Sequence, residues 1–222
     1  MATPYAFERC LKETMESIEF VRAHLVQSAA VTRELADRSA SVIIEAAEQI
    51  AALVSQGGKI MLCGNGGSAA DCQHIAAEFT SRLRSGFERP GIPAIALTTD
   101  TSFLTARAND YGFDNVFERL VDAVGRPGDV LVAISTSGNS QNIARAVVRS
   151  KEKKIFTIGL SGGTGGALVG VADLSVLVPS TNTQHIQESH IAIGHVVCAL
   201  VEDLLYGPFE DSSNYAEEVM NG

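Results

Sequence analysis

The sequence predicts an α/β protein whose parallel sheet is covered by helices on both faces. Three observations support this prediction. Five short apolar segments after residue 57 alternate with helical segments, two of the apolar segments end in Gly/Ser-rich loops, and the residues before them show only helical spacing. Short apolar runs separated by helices are typical of parallel strands buried on both faces. We therefore expect a five-stranded αβα sandwich preceded by helices.

The N-terminal residues 5–55 are predicted to form a helical hairpin. Two segments, "FERCLKETMESIEFVRAHL" and "LADRSASVIIEAAEQIAALVSQ", each place apolar side chains three and four positions apart. Gly57 and Gly58 follow the second segment and end its helix. The faces of this hairpin could cover the sheet or meet another subunit.

The five predicted strands follow one another with helices between them. The strands are "KIMLCG", "IPAIALTT", "DVLVAIS", "KIFTIGLS" and "DLSVLVP". The helices are predicted at 68–84, "FDNVFERLVDAVG", 141–151 and "QHIQESHIAIGHVVCALVEDLLYG", and "ANDYG" is predicted as a loop. In such sheets ligands bind beyond the carboxyl ends of the strands, where loops turn into helices.

Length and composition favour one globular domain. The chain has 222 residues, of which 45% are hydrophobic and 19% charged, so it can bury a sizeable core. We expect a single domain over residues 1–207, with N-terminal helices in 1–56 and the sheet core in 57–207. A polar, acidic tail, 208–222, follows it.

Charge and cysteine usage restrict the partners and the compartment. The net charge of −9 argues against nucleic acid or an anionic membrane as the partner. No apolar run approaches the ~18 residues of a transmembrane helix, and acids interrupt the N-terminal segment where a signal peptide would be apolar. We therefore expect a cytoplasmic protein. The scattered cysteines, without a CxxC pair, are expected to be reduced and mostly buried: Cys10, Cys63, Cys72 and Cys198.

Two Gly/Ser-rich loops predict an anion site. "CGNGGS" (63–68) and "STSGNS" (135–140) each lie between a predicted strand and a helix. Glycines let the backbone approach an anion, and a helix N-terminus supplies free N–H groups and partial positive charge. The second loop adds four hydroxyl groups, those of Ser135, Thr136, Ser137 and Ser140. A simple Ser/Thr helix cap is the alternative for one loop, but two such loops in one sheet favour a ligand.

Neither loop fits a nucleotide-binding motif. A Walker loop needs a lysine, which both loops lack, and a dinucleotide fingerprint needs GxGxxG. The first loop has Ala69 where the third glycine would stand, and "SGGTGG" (161–166) lacks the helix-opening spacing. A phosphate on a small sugar or acid fits better.

Four polar side chains on two helices are candidates for chemistry. His74 and Glu78 share a helix face at i and i+4, while Gln187 and His195 are eight residues apart on the last helix. One hypothesis makes Glu78 and His195 a general base and acid acting on a sugar phosphate. The other makes all four side chains ligands of a divalent metal such as Zn²⁺, and the two hypotheses are compatible.

Asn109 and Asp110 are further candidates. They lie in the predicted loop after the second strand, where they could bind sugar hydroxyl groups. An Asx-turn without a ligand explains them equally well.

Together, several segments resemble the phosphoheptose isomerase family. They are "CGNGGSAADCQHIAAEF", "ANDYGFDNVF", "GDVLVAISTSGNS" and "IQESHIAIGHVVCALVE", and the resemblance runs to about residue 207. Members of this family are sedoheptulose 7-phosphate isomerases with the sugar isomerase (SIS) fold. "STSGNS" alone would indicate only a phosphosugar binder, whereas the His-x3-Glu helix with "IQESHIAIGH" is more specific.

The resemblance implies a role for each candidate. Glu78 and His195 would be the acid–base pair. Zinc would be bound by His74, Glu78, Gln187 and His195. Phosphate would be held by Ser135, Thr136, Ser137 and Ser140, with Ser68 and the backbone of Asn65, Gly66 and Gly67 nearby, and the sugar by Asn109, Asp110 and Gln187.

The resemblance also implies an assembly and a setting. It implies a cytoplasmic homotetramer with sites at subunit contacts, acting on the first step toward the heptose of lipopolysaccharide core or related glycans. Two features depart from the family: His185 stands where Arg or Lys is frequent, and the acidic tail runs past the usual end.

Three other functions remain open. A non-catalytic SIS-fold adaptor of a replication initiator would lack the acid–base pair, which this chain has. A phosphosugar-sensing transcriptional regulator would need a basic DNA-binding module before the sheet. An isomerase of another sugar phosphate, such as arabinose 5-phosphate or a hexose 6-phosphate, would share the phosphate loops.

Overall fold

Five parallel strands form one sheet at the centre of the protein. The computed structural model describes the backbone of residues 4–207 and the side chains of residues 15–207. The strands are β1 (Ile60–Gly64), β2 (Ala94–Ala96), β3 (Val130–Ile134), β4 (Phe156–Gly162) and β5 (Leu174–Val178). Their order is β2-β1-β3-β4-β5, and every neighbouring pair is parallel. The predicted five-stranded parallel sheet is confirmed.

Within residues 4–207, seven helices accompany the strands. They are α1 (Pro4–Ser55), α2 (Gly67–Thr80), α3 (Thr101–Tyr111), α4 (Val116–Val124), α5 (Gln141–Glu152), α6 (Gly166–Val169) and α7 (Thr183–Tyr206). A single 3₁₀ turn, Phe113–Asn115, precedes α4. The acidic tail expected at 208–222 and the side chain of Cys10 lie outside the described residues.

Alternating strand residues build two separate cores, one on each face of the sheet. Leu62 and Val132 point to a cluster that includes side chains of α1, α2 and α7. Their neighbours Met61 and Leu131 point to a second cluster with α4 and α5. Because successive side chains of a strand point to opposite faces, a sheet covered on both sides needs the nearly continuous apolar strands seen here.

The N-terminal hairpin prediction is wrong, because α1 is one continuous helix of 52 residues. The segment expected to turn, 25–34, reads "LVQSAAVTRE" and contains neither Gly nor Pro. Its alanines favour the helix, and no residue in it supplies a stop signal. The C-terminal half of α1 packs on α7 and the sheet through Leu35, Ile43 and Ile50.

The prediction that "ANDYG" forms a loop is also wrong for most of its residues. Its first four residues form the last turn of α3, and Gly112, with φ of 85°, ends the helix. Asp100 begins α3 by accepting a hydrogen bond from the backbone N–H of Phe103 at 2.9 Å. Such an N-cap satisfies one of the free donors of a helix start, so the segment continues as helix.

Helices α2 and α7 approach each other closely at Gly194. A Cβ on Gly194 would lie 2.7 Å from Cγ1 of Ile75 and would also collide with its Cδ1. Ile75 belongs to the core cluster on this face of the sheet, and Gly194 is buried beside it. A glycine is therefore required where the two helices touch. Their next neighbours in sequence, His195 and His74, are brought together by this contact.

A buried ion pair holds the same two helices together near their C-terminal ends. Glu202 is fully buried, and it accepts a hydrogen bond from Nε of Arg89 at 2.8 Å. Arg89 also donates to the carbonyl oxygens of Glu78 and Phe79, both at 2.8 Å. These carbonyls belong to the last turn of α2, where the backbone has no helical partner. Glu202 on α7 thus holds the arginine that caps α2.

Helix α7 is long and apolar enough, by length and composition alone, to cross a membrane. Its apolar side chains are nevertheless part of the core, since Ile186, Ile193 and Val201 are buried against the sheet and the neighbouring helices. A buried core helix passes the same composition test, and α7 has that position here.

The cysteine prediction is confirmed for the described side chains. Cys63, Cys72 and Cys198 are free and buried. Burial raises the pKa of the Cys63 thiol to about 12, so this side chain stays protonated and acts as a small apolar group.

Gly194→Ala should destabilise the protein, because the added methyl group forces α7 away from α2. We expect a loss of about 1–3 kcal/mol in the free energy of unfolding, typical of overpacking, measured by urea denaturation. The matched control is Gly170→Ala, since a Cβ there meets only an ordinary contact at 3.6 Å. Adding Ile75→Val to Gly194→Ala should recover part of the loss. A Gly194→Ala protein as stable as the control would contradict the close contact.

His190 should make folding sensitive to acid. Burial lowers its pKa from 6.5 to about 4, with the backbone of Ser161 opposing the shift. Between these two values the unfolded chain binds a proton that the folded chain does not, so the free energy of unfolding falls as the pH falls. The full effect is about 3 kcal/mol. Urea denaturation measures the free energy of unfolding at pH 7 and at pH 5. Between these pH values, His190→Leu should lose less of this free energy than the wild type loses. Equal losses in the two proteins would contradict the assignment to His190.

Candidate active site

The candidate site lies at the carboxyl edge of the sheet, above β1 and β3. These strands are neighbours, and Gly64 at the end of β1 pairs with Ile134 at the end of β3. The chain runs from β1 outward to β2 and then returns to β3 on the other side. Ligands of open α/β sheets bind at such a switch point. The two Gly/Ser loops therefore begin side by side, as the sequence indicated.

The first loop forms an open backbone turn beneath α7. Gly66 adopts a φ of 55°, and α2 begins at the next residue. A Cβ on Gly67 would lie 2.5 Å from Nε2 of Gln187, so the amide of Gln187 rests directly on the loop. Ser68, in the first turn of α2, is buried. The loop and Gln187 thus form one surface.

The second loop presents its hydroxyl groups around the start of α5. Oγ of Ser135 donates to Oγ of Ser140 at 3.1 Å. Ser140 stands at the N-cap position of α5, yet its side chain caps no backbone N–H of that helix. Ser137 is exposed, and Thr136 is half-buried. The hydroxyl of Ser140 therefore faces its own loop rather than serving only as a helix cap.

A reciprocal amide pair joins the two loops. Nδ2 of Asn65 donates to Oδ1 of Asn142 at 3.0 Å, and Nδ2 of Asn142 donates back to Oδ1 of Asn65 at 2.8 Å. Asn142 is buried in the first turn of α5. Sequence reasoning missed Asn142, because nothing in "QNIARA" indicates a partner 77 residues away. The pair fixes the relative position of the loops.

The "SGGTGG" segment, which fits no ligand motif, supports the second loop. Gly138 has a φ of 66°, and a Cβ on it would collide with the carbonyl oxygen of Gly165. The N–H of Leu168 donates to the carbonyl of Gly138 at 3.0 Å, and Oδ1 of Asn139 accepts from the N–H of Ala167 at 3.1 Å. Sequence reasoning found no role for these glycines. The structure shows that they let α6 lie against the hydroxyl loop.

Three of the four predicted acid–base or metal-binding side chains meet. Nε2 of His74 lies 2.8 Å from Nε2 of His195 and 3.5 Å from Oε1 of Glu78. The Glu78 side chain is 20% exposed and the His74 side chain 47%. The i and i+4 spacing on α2 explains the first pair, and the close packing at Gly194 brings the histidine of α7 to them.

Asp71 is a fourth polar group near this cluster that sequence reasoning missed. It lies three residues before His74 on α2, and its Oδ2 is buried with no hydrogen-bond partner among the described residues. Burial raises the pKa of the Asp71 carboxyl above its usual range, while nearby His74 opposes the shift. The i and i+3 spacing from His74 was the available signal.

Three other predicted site residues, Gln187, Asn109 and Asp110, form no hydrogen bond with the cluster of His74, Glu78 and His195 among the described residues. Gln187 lies against Gly67, and no hydrogen bond joins it to His74, Glu78 or His195 in the described part of the chain. Asn109 and Asp110 are exposed at the end of α3. Nδ2 of Asn109 donates to Oδ1 of Asp110 at 2.9 Å. This bond engages the two side chains with each other.

The donors in this cluster suit a divalent metal. Two imidazole nitrogens face one another at 2.8 Å, and a carboxylate oxygen lies 3.5 Å from one of them. Imidazole and carboxylate are the ligands that Zn²⁺ takes in catalytic sites. Among the described residues, His24, His185 and Glu188 have the composition and spacing to hold a metal ion, with their ligand atoms all within 4.8 Å of one another.

Comparison with known proteins agrees with this architecture. Residues 23–162 match the SIS domain family. The chain is 52% identical over 188 residues to a phosphoheptose isomerase of Chlorobaculum tepidum, covering 84% of this chain and 90% of that protein.

Solved structures show the same likeness. Phosphoheptose isomerase GmhA from Neisseria gonorrhoeae has 45% identity and a TM-score of 0.78, covering 83% of this chain and 98% of that one. A phosphoheptose isomerase from Francisella tularensis has 36% identity and a TM-score of 0.80, covering 84% and 98%. With a matching SIS domain, the same fold and identities of this size over most of both chains, the protein belongs to the phosphoheptose isomerase family.

Proposed function

We propose that this protein is an aldose–ketose isomerase that converts D-sedoheptulose 7-phosphate to D-glycero-D-manno-heptose 7-phosphate. The observation that carries the proposal is the meeting of His74, Glu78 and His195 beside two Gly/Ser loops at one edge of the sheet. The names of the curated relatives indicate the same class of substrate. The close likeness over most of the chain favours this function over an SIS-fold adaptor.

The phosphate is assigned to the hydroxyl loop. Ser135, Thr136, Ser137 and Ser140 supply the hydroxyl donors, and the first turn of α5 adds backbone N–H groups with partial positive charge. Ser68 and the backbone of Asn65, Gly66 and Gly67 complete the pocket from the neighbouring loop. This set of donors binds a phosphate dianion without lysine or arginine, which agrees with the neutral composition of both loops.

The carboxylate of Glu78 is assigned the carbon-bound proton. Isomerisation of the ketose requires removal of one proton from C1 and its delivery to C2. Glu78 takes the C1 proton, the C1–H electron pair becomes the C1–C2 double bond of an enediol(ate), and the protonated Glu78 returns the proton to C2. A carboxylate that is mostly shielded from water but still reaches the site fits this role.

The oxygen-bound proton is assigned to His195. As the enediol forms, O2 must gain a proton, and O1 must lose one when the C1 aldehyde appears. His195 donates to O2 and accepts from O1, so its own protonation is restored after a turnover. His74 holds the other end of the Nε2–Nε2 contact at 2.8 Å and orients the ring of His195. Gln187, with Asn109 and Asp110, is assigned to the sugar hydroxyl groups.

One zinc ion per subunit is part of the proposal. His74, Glu78 and His195 would hold it, with Gln187 as the fourth ligand. When bound, such an ion polarises sugar oxygens and stabilises negative charge on them.

A cytoplasmic homotetramer is the proposed assembly, with sites at subunit contacts. The N-terminal half of α1 leaves large apolar side chains exposed, including Phe20, Leu25 and Val26. A group of exposed apolar side chains of this kind is unusual on a monomer and supports contact with other copies of the chain. The acidic net charge argues against nucleic-acid or membrane partners, and it does not exclude a sugar phosphate, because backbone N–H groups can hold the anion locally.

Glu78→Gln should abolish turnover while binding is retained, because the amide keeps the shape of the side chain but cannot accept the proton. We expect a loss of about 10²–10⁴-fold in kcat, measured by the appearance of the aldose heptose 7-phosphate from sedoheptulose 7-phosphate. Binding of the substrate, followed by calorimetry, should persist.

Glu34→Gln is the matched control, since Glu34 is paired with Arg38 on the surface of α1. It should retain full activity. Activity in Glu78→Gln equal to the control would remove Glu78 from the role of base. A wild-type protein that forms no aldose product would overturn the proposed function itself.

The zinc content of the wild type and of His74→Ala should show whether the active-site cluster binds the ion. Protein purified without chelator should contain zinc by elemental analysis, and His74→Ala should contain at least one equivalent less per chain, because it loses an imidazole ligand. Retention of the wild-type zinc content in His74→Ala would contradict the zinc assignment and leave the acid–base roles of Glu78 and His195 standing.

A further inference from the structure

A polar cluster outside the active site connects α1 to the beginning of α7. Nε2 of His24 lies 3.1 Å from Oε1 of Glu188, and Oγ of Ser28 donates to Oε2 of the same carboxylate at 2.5 Å. The ring of His185 stands 4.7 Å from that of His24, centroid to centroid. None of these side chains has a part in the proposed isomerisation, so the cluster needs its own explanation.

His185 is the unusual member of this cluster. Only 3% of the residue is exposed, and its Nε2 is buried with no hydrogen-bond partner among the described residues. A buried polar nitrogen without a partner is unfavourable, and such groups call for an ion, a water or a function. One nitrogen of His185 lies within 4.8 Å of the ligand atoms of His24 and Glu188.

We propose that His24, His185 and Glu188 form a second metal site, which binds a divalent transition ion such as Zn²⁺ between α1 and α7. Two imidazoles and one carboxylate are a donor set that such ions prefer, whereas Mg²⁺ and Ca²⁺ prefer oxygen ligands. Three protein ligands leave one position of a tetrahedral ion for water.

The distances require little movement. Ligand atoms around a tetrahedral Zn²⁺ with bonds of ~2.0–2.1 Å lie roughly 3.3 Å apart. The nitrogen of His24 and the oxygen of Glu188 are already 3.1 Å apart. The ligand nitrogen of His185, within 4.8 Å of both, needs only a small shift.

Access favours the same interpretation. On the surface of the single chain, a groove lined by Phe20, His24 and Glu188 leads to the cluster.

The position of the site gives it a structural consequence. Gln187 is the residue next to Glu188 and lines the same groove. Its side chain also rests on the first Gly/Ser loop at Gly67. An ion held by His185 and Glu188 would fix the first turns of α7 to α1 and restrain this glutamine. The proposed ion therefore joins α7 to α1 beside the active site and takes no part in proton transfer.

The test counts the metal ions that the 222-residue chain binds. Metal-free wild-type protein is titrated with Zn²⁺ by calorimetry and with Co²⁺, whose visible absorption reports tetrahedral coordination. We expect one equivalent per chain to disappear, or its affinity to fall at least about tenfold, in His24→Ala and in Glu188→Gln. The matched controls Gln27→Ala and Glu34→Gln, both on exposed faces of α1, should bind as the wild type does.

The variants separate this site from the active-site cluster. His74→Ala should keep the equivalent that His24→Ala loses, and Zn²⁺ should raise the melting temperature of His74→Ala more than that of His24→Ala. If His24→Ala and Glu188→Gln bind as many ions as the controls with equal affinity, the cluster is a hydrogen-bonded contact only and the inference is overturned. A loss in His74→Ala alone would leave the proposed function intact and refute this site. Circular dichroism confirms that each variant is folded.

Discussion

The close contact of α2 and α7 at Gly194 is the constraint on which the candidate active site depends. Only a residue without a Cβ lets the α7 backbone lie against Ile75, and the adjacent residues His195 and His74 meet at 2.8 Å as a result. At the far end of the pair, buried Glu202 holds Arg89 on the last carbonyls of α2. The two helices are therefore held together at two places along their length, and His74, Glu78 and His195 lie close to these contacts.

The sheet supplies the second half of the site by a different route. Parallel strands deliver their loops to one edge, and the reversal of strand order places the loops after β1 and β3 side by side. The Asn65–Asn142 pair locks them to each other, and α6 supports the hydroxyl loop through Gly138 and Gly165. Gln187 spans the two halves, because it belongs to α7 and rests on the first loop.

Errors of sequence interpretation occurred where local signals were weak or were overridden. The hairpin at the N-terminus was inferred from two amphipathic segments, although no residue between them stops a helix. "ANDYG" looked like a loop, yet a cap at Asp100 starts a helix that runs through most of it. Asn142 and Asp71 were missed because a single polar residue in a helix says nothing about a partner distant in sequence or about its own burial.

The sequence by itself determined the fold class, the five strands, both loops and the chemical types of the site, because apolar periodicity, glycine spacing and His-x3-Glu are local properties of the chain. Only the tertiary structure decided which of these groups meet. The contact of His74 with His195 spans 121 residues, and that of His24 with Glu188 spans 164. Such contacts arise from helix packing, which depends on the shape of whole buried surfaces such as that around Gly194, and no short motif encodes that shape.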